Sequence, residues 1–535
     1  MGSLFFGDNL FVLRDEIKSE SVDLVYLDPP FNSKRDYNLL FKTPKGHDSD
    51  AQIAAFDDSW HWGEQAEREF SELLHQENTD VAEMIQSLRR FLKENDVMAY
   101  ITMMANRLVE LHRVLKPSGS LYLHCDPTAS HYLKIVLDTV FGADKFRNEV
   151  IWQRTAAKGD ARQKFGAVHD VILAYVKSDV AKFTPIFLEV DDEYLSRFRL
   201  DDNDGKGLYR LAPLDSPNPR PNLTYVYKGY QPPAKGWRVS RELMEQLDQE
   251  GRLSFPKDPN GRIARKHYLN EQEGRKASDV WTDIAPLQAS AAEKLGYPTQ
   301  KPLALLERII ESSSSEGDLV LDPFCGCGTA VHAAQTLKRE WIGIDITHLA
   351  ISLIEKRMKD AFPNISFQVH GTPTDLDGAR NLAERDKYQF QWWACSLVNA
   401  QPFQGKKKGS DGGIDGLIFF QDDEKGAKKI IVSVKGGEHV SVTMVKDLIA
   451  TVEREKAAIG LFITLTEPTK PMSTEAVTAG FYQSPKGEVP KIQILTIEGL
   501  MSGKERPQYF DISSGVHNFK KAKVEKQKAE QKKLL

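Results

Sequence analysis

An α/β fold on a parallel sheet is predicted by three observations. Short apolar runs at Val22–Leu27 and 319–321 read as buried parallel strands, the first broken by one acid, Asp23. Each run ends in Asp-Pro, within Tyr26-Leu27-Asp28-Pro29-Pro30-Phe31 and Leu321-Asp322-Pro323-Phe324-Cys325-Gly326-Cys327-Gly328. Proline lacks an N–H to donate, so it stops strand pairing and turns the chain out of the sheet. Helical patterns fall between the strands. Open α/β sheets bind ligands at the carboxyl ends of their strands. One corner shaped for an aromatic and one for a glycine loop therefore suggest a catalytic mouth beside a nucleotide-like cofactor.

The elements follow in order. Residues 1–45 hold a strand-turn pattern and the first proline corner. Residues 46–96 are polar and acid-rich, with helical periodicity in Val81, Ile85, Leu88 and Leu92, and read as a helical insertion. A long amphipathic helix over 98–115 is stopped by Lys116-Pro117-Ser118-Gly119. A strand at 120–124, a helix at 132–141 and strands at 150–152 and 170–175 come next. The Lys-, Arg- and Gly-rich stretch 154–166 suits a loop facing phosphates. From about 180 to 285 prolines, glycines, aromatics and bases replace regular periodicity, including Arg210, Arg220, Tyr225, Lys228, Lys235, Trp237 and Arg238. Interleaved aromatics and bases can read DNA edges and backbone, although a structural insertion has the same composition. Regular structure resumes with a helix at 301–312 carrying Pro302 in its first turn. The 319–321 strand, the glycine loop, a helix through Leu337, a strand ending in Asp345 and a helix at 350–358 follow. Residues 370–384 read as a linker, and 388–510 as a new α+β unit.

Bulk properties narrow the class. A chain of 535 residues accommodates two to four domains, and 41% hydrophobic with 27% charged residues is ordinary for a globular protein. No apolar stretch approaches the roughly 20 residues that span a bilayer, and the N-terminus lacks a signal-peptide pattern. Four cysteines form no disulfide framework, which points to a reducing cytoplasm. Cys325 and Cys327 read as small loop residues rather than zinc ligands. A net charge of −5 excludes a uniformly basic nucleic-acid coat but not a localised basic surface. The Lys-rich end of the chain reads as a solvated tail or an accessory phosphate-binding arm.

Gly326 and Gly328 let the backbone turn sharply and approach a ligand. Asp345, about twenty residues after the loop, stands where a carboxylate accepts from both ribose hydroxyls. The loop has no P-loop Lys-Ser/Thr pair, which argues against a triphosphate. With Tyr297-Pro298-Thr299-Gln300-Lys301-Pro302 and the segment Leu115-Lys116-Pro117-Ser118-Gly119-Ser120-Leu121-Tyr122, these motifs resemble those of S-adenosylmethionine-dependent DNA amino-methyltransferases. The order is that of the beta group: catalytic motif, recognition region, then cofactor loop. The resemblance covers roughly 1–370 and implies a permuted Rossmann-like methyltransferase with an inserted target-recognition region. It implies a catalytic half over 1–180 with the insertion 46–96, recognition over 181–285, and a cofactor half over 286–370. Asp28, Pro29, Pro30 and Phe31 would be catalytic. Thr299, Gln300, Lys301, Pro302, Asp322, Pro323, Phe324, Gly326, Gly328, Thr329 and Asp345 would bind S-adenosylmethionine. In this family Asp at the first catalytic position favours adenine N6 and Ser favours cytosine N4, so Asp28 implies adenine. Double-stranded DNA is the implied partner, with no membrane, and a homodimer or a restriction subunit stays open. Similar corners occur in RNA-base and protein-glutamine methyltransferases, which usually carry the cofactor loop first.

Residues 385–510 resemble Mrr-type restriction endonuclease domains, an α+β branch of the PD-(D/E)xK nucleases, with 511–535 as a basic tail. The carriers are Ser410-Asp411-Gly412-Gly413-Ile414-Asp415-Gly416 and a strand ending in Lys435-Gly436-Gly437. By resemblance Asp415 is a Mg²⁺ ligand and Lys435 the base that orients water. Ser433 departs from the family's Gln, Glu or Asp, and Gln389 and Gln391 stand where an acid is often found. Three readings of this half follow: Mg²⁺-dependent cleavage, a nuclease that the methylation half targets, or a degenerate DNA-binding clamp.

Overall fold

A computed structural model describes residues 2–30, 36–42, 48–57, 62–76, 78–156, 165–188, 192–258, 261–272, 274–288, 291, 293, 295, 300–403, 413–423, 426–513, 522 and 524–525, with backbone alone at 36–42, 48–57 and 193. Phe31, Tyr297 to Thr299, Ser410 to Gly412 and most of the basic tail lie outside them. The chain divides into two compact units, one of residues 1–184 with 279–526 and one of 185–278 with 527–535.

The first unit is organised by a nine-stranded sheet. Its spatial order is Val280–Trp281, Phe146–Gln153, His169–Val176, Leu115–Cys125, Val22–Leu27, Leu319–Asp322, Glu340–Asp345, Gly2–Phe6 and Phe367–His370. Only His169–Val176 runs antiparallel to its neighbours. Val22–Leu27 is buried at every position, which is why it reads as a continuous apolar run instead of alternating. Its one acid is structural. Asp23 accepts from the Leu319 backbone N–H at 3.0 Å and pairs with Lys116 at 2.7 Å. Burying a carboxylate is unfavourable unless it is paired. Here it fastens the catalytic-side strand to the glycine-loop strand at their common entrance.

The pairing Val320↔Leu24 and Leu321↔Val25 then brings the two Asp-Pro corners out at adjacent strand tips, although nearly three hundred residues separate them in sequence. The helix Asp96–Val114 is buried around most of its circumference, so it is a core element rather than an amphipathic surface helix. Glu64–Leu74 and Thr79–Leu92 pack beside it through Phe70, Leu73, Val81 and Ile85. Among the described residues, no helix is long and apolar enough to cross a membrane.

Residues 370–384 are not a linker, because Leu376–Arg385 is a helix capped by Asp375, whose side chain accepts from Gly378 N–H. Its apolar stripe, Leu376, Ala379, Leu382 and Ala383, has helical spacing but is short and set among mostly polar neighbours. The stripe packs into the core of the C-terminal part of this unit. There a five-stranded sheet runs Gln401–Pro402, Gly416–Phe420, Lys428–Lys435, Ile459–Thr464, Ile492–Thr496, antiparallel in its first half and parallel in its second. Pro302 caps the helix Leu303–Ser313 instead of lying within its first turn, since a proline has no N–H to lose at that position.

The second unit holds a three-stranded antiparallel sheet of Leu253–Ser254, Ala264–Tyr268 and Tyr209–Pro213. A core of Leu214, Tyr227, Trp237, Met244, Leu247, Leu253 and Ile263 lies within the same unit.

Candidate active site

A cavity of about 270 Å³ opens at the strand tips. Asp28, Pro29, Pro30, Gln300, Lys301, Asp322, Pro323, Phe324, Gly326, Thr329 and Asp345 all line it. Gly328 ends the loop in the left-handed region at φ 74°, where a Cβ would come within 2.8 Å of Ile354. That turn starts the helix Thr329–Thr336.

Asp345 ends its strand with each oxygen held by the chain. Oδ2 accepts from Gly326 N–H at 3.0 Å, and Oδ1 accepts from the Thr347 N–H and hydroxyl, both at 2.9 Å. Each carboxylate oxygen offers about two acceptor sites, so Oδ2 keeps one for a ligand in the cavity. Burial nonetheless raises its pKa to about 6 against these bonds. Asp322 is pushed well above the usual carboxylate range, first by burial and then by the charges of Asp28 and Asp345. Lys301, only 10% exposed, forms an ion pair with Asp28 and so places a cation among these acids.

A second layer fixes the loops. Asn9 donates to Pro323 O at 2.8 Å and accepts from Arg107 Nε at 2.6 Å, while Arg107 also pairs with Asp8 at 3.0 Å. Buried Arg357 donates to Cys327 O at 2.9 Å and Thr329 Oγ1 at 3.2 Å, holding the glycine loop from behind. Cys325 and Cys327 are buried thiols whose pKa values burial raises, and they pack rather than react. On the Asp28 side, the Tyr26 hydroxyl bonds His124 Nδ1 at 3.0 Å, and His124 Nε2 lies 3.1 Å from Asp170 Oδ2. A carboxylate only accepts, so Nε2 carries a proton toward Asp170. Sequence reading missed Asp8, Asn9, Arg107 and Arg357. The available signal was Gly7-Asp8-Asn9 straight after the first strand, a helix N-cap pattern at a strand exit. Arg357 gave none.

The second acid-bearing turn has a different character. Asp415 Oδ1 accepts from Gln391 Nε2 at 3.0 Å, and Oδ2 accepts from Val434 N–H at 2.6 Å and Ser433 Oγ at 3.4 Å. Lys435 Nζ lies 3.8 Å from the same Oδ2. Gln389, the other glutamine of helix Lys387–Leu397, does not join them; its carbonyl accepts from His348 N–H at 3.2 Å, beside the cofactor-side turn. Mg²⁺ needs several oxygen donors with free lone pairs. This carboxylate is surrounded by N–H donors and an ammonium, so the described residues do not fit a divalent cation. No group of three or more His, Cys, Asp or Glu placed to hold one occurs among them. The expected metal-ligand role of Asp415 and water-orienting role of Lys435 therefore find no support in this geometry, because Gln391 and Ser433 replace acids.

Residues 22–356 match the family described as DNA methylase, with N6 and N4 members. Residues 397–502 match the family described as NACHT-associated inactive Restriction Endonuclease 1. The chain is 33% identical over 261 residues to the type II methyltransferase M.EcaI of Enterobacter cloacae, covering 48% of this chain and 57% of that protein. It is 25% identical over 350 residues to the Mod subunit of the type III restriction-modification enzyme StyLTI of Salmonella typhimurium, covering 62% and 50%. The chain thus spans about half the length of these curated relatives. The solved PvuII DNA methyltransferase, described as cytosine-N4-specific, aligns at a TM-score of 0.33 and 13% identity over 68% of this chain and 89% of that one. A likeness that small adds nothing to the family match.

Proposed function

The chain belongs to the DNA methylase family, and on that premise we propose that it methylates adenine N6 in duplex DNA with S-adenosylmethionine. One observation carries the reading: Asp28 and the Asp322 to Asp345 loop system line a single cavity at adjacent strand tips. Asp345, Gly326, Phe324 and Gln300 would hold the cofactor, which when bound supplies an electrophilic methyl group on a sulfonium.

The chain's own residues supply the rest. An adenine amine is a weak nucleophile because its lone pair is delocalised into the ring. The Asp28 carboxylate and the Pro29 carbonyl would accept its two N–H bonds, drawing the nitrogen toward a tetrahedral shape. Lys301 aims the Asp28 carboxylate through their ion pair. Tyr26 lies under this corner with its hydroxyl protonated, since burial and the charges of Asp28 and Asp322 hold its pKa well above the ordinary value. Phe31 would stack on a base taken out of the helix. Alignment in a confined cavity provides much of the acceleration.

The 185–278 unit would recognise the target, and the permuted motif order supports duplex DNA. The C-terminal part is read as a nuclease-derived domain that does not cleave, consistent with its family's description and with the closed Asp415 site. The type III Mod relatives favour a separate restriction subunit as partner.

Asp28→Ala is expected to lower transfer of labelled methyl to DNA by at least about 10³-fold, with cofactor-product binding retained. Undiminished transfer would sink the assignment. Nucleoside mass spectrometry of the methylated DNA decides the base, and N4-methylcytosine as the product would overturn the adenine reading.

A further inference from the structure

We propose that the three-stranded sheet of the 185–278 unit carries a binding face for DNA backbone phosphates, built from Arg210, Arg265 and His267. The inference rests on the DNA-methylation reading and adds to it a defined contact surface.

Register brings the residues together. Arg210 pairs with His267, and Arg265 with Ala212. Residues directly opposite share a face and neighbours along a strand alternate, so these four lie on one side of the sheet. The opposite side carries Tyr209, Leu211, Lys266 and Tyr268.

Several other bases of this unit have acids of their own. Lys228 pairs with Asp248 at 2.5 Å, Lys266 with Asp202, and Arg262 with Asp215. Arg210 and Arg265 differ. Both side chains are half-buried, and the Nε of each is buried with no hydrogen-bond partner among the described residues. The nearby acid Glu271 is taken by both terminal nitrogens of Arg252, at 2.8 and 2.5 Å. Burial, and then the charges of Arg265 and Arg210, hold the His267 pKa below its ordinary value, with Glu271 opposing and Arg252 adding to the effect. The ring is therefore neutral near pH 7 and still offers an N–H. The Arg210 guanidinium also rests 5.8 Å from the centre of the Phe198 ring, which limits its orientations.

Gathering like charges on one face is unfavourable without a counter-charge. Guanidinium forks match phosphate oxygens in shape and charge. Half-buried guanidiniums on a sheet face project little toward a groove floor, which assigns them to phosphates rather than base edges.

The test uses the full chain, a fluorescent mixed-sequence duplex and anisotropy titrations from about 50 to about 200 mM salt. The Arg210→Met/Arg265→Met variant is expected to lower the magnitude of the log K against log salt slope by about 2, one per lost phosphate contact. Arg210→Lys/Arg265→Lys should keep most of the slope, because charge is retained. The single variants Arg210→Gln and Arg265→Gln, each checked by circular dichroism, should each remove about half the effect if the double variant misfolds. An unchanged slope in folded variants overturns the proposal, and so does a loss confined to one DNA sequence, which would mean base reading. Wild-type binding and methylation beside unaltered arginine variants would fail this inference alone, whereas absence of duplex binding by the wild type would fail both.

Discussion

Asp415 is buried and Asp345 half-buried, each beside a strand end and each accepting a backbone N–H, yet their surroundings differ. Asp345 is held by Gly326 and Thr347 while facing a cavity of about 270 Å³. Asp415 is closed in by Gln391, Val434, Ser433 and Lys435. The difference lies in the surroundings: Asp345 lines the cavity beside a glycine and a short hydroxyl, whereas an amide and an ammonium stand beside Asp415. An acid in a motif position is therefore not a site until its remaining lone pairs are accounted for.

The largest effect should come from emptying the first site of its charge. Asp345→Asn is expected to weaken binding of S-adenosylhomocysteine by about 10- to 100-fold, as lost charge-assisted hydrogen bonds imply, measured by calorimetry. Affinity within threefold of wild type would remove Asp345 from the cofactor site. Its pKa of about 6 adds a pH signature. Below that value the carboxyl is protonated, so wild-type affinity should fall toward tenfold per pH unit, and Asp345→Asn should not share the trend. The contribution of this group to folding without ligand has the opposite sign. Burial raises its pKa from 3.8, so that contribution is complete below 3.8 and is lost as pH rises through about 6.

An intermediate effect is expected behind the glycine loop. Arg357→Met strands Cys327 O and the Thr329 hydroxyl and should destabilise the chain by about 3 kcal/mol in urea unfolding. Stability unchanged within about 0.5 kcal/mol would show that the loop holds itself.

The smallest effect belongs to the closed site. Millimolar Mg²⁺ should leave the wild-type melting temperature unchanged and produce no DNA cleavage. Restoring acids with Gln391→Glu/Ser433→Glu should create a Mg²⁺-dependent rise in melting temperature. A wild-type rise that Asp415→Ala abolishes would contradict the closed geometry.

Much of this was legible in the chain because it was local. Strand exits at Asp28 and Asp322, glycines at a tight turn and the acid at Asp345 leave marks within a few residues. Asp345 and the Gly326 N–H that it accepts are separated by a single strand–helix–strand step. The Leu376–Arg385 helix was missed because the stretch is mostly polar, which masked the helical spacing of Leu376, Ala379, Leu382 and Ala383. Arg357 was missed because a charged residue in a polar-looking helix reads as solvent-exposed until the fold buries it.

Sequence alone determined the two proline corners, the glycine loop and their order along the chain, since backbone stereochemistry and hydrogen-bonding capacity belong to each residue. Tertiary structure decided that the corners share one mouth, that Lys301 meets Asp28, and that Asp415 meets Gln391 and Lys435. Those facts depend on which strands pair across hundreds of residues and on which donors then fall within about 3 Å of a carboxylate. No local pattern encodes that distance.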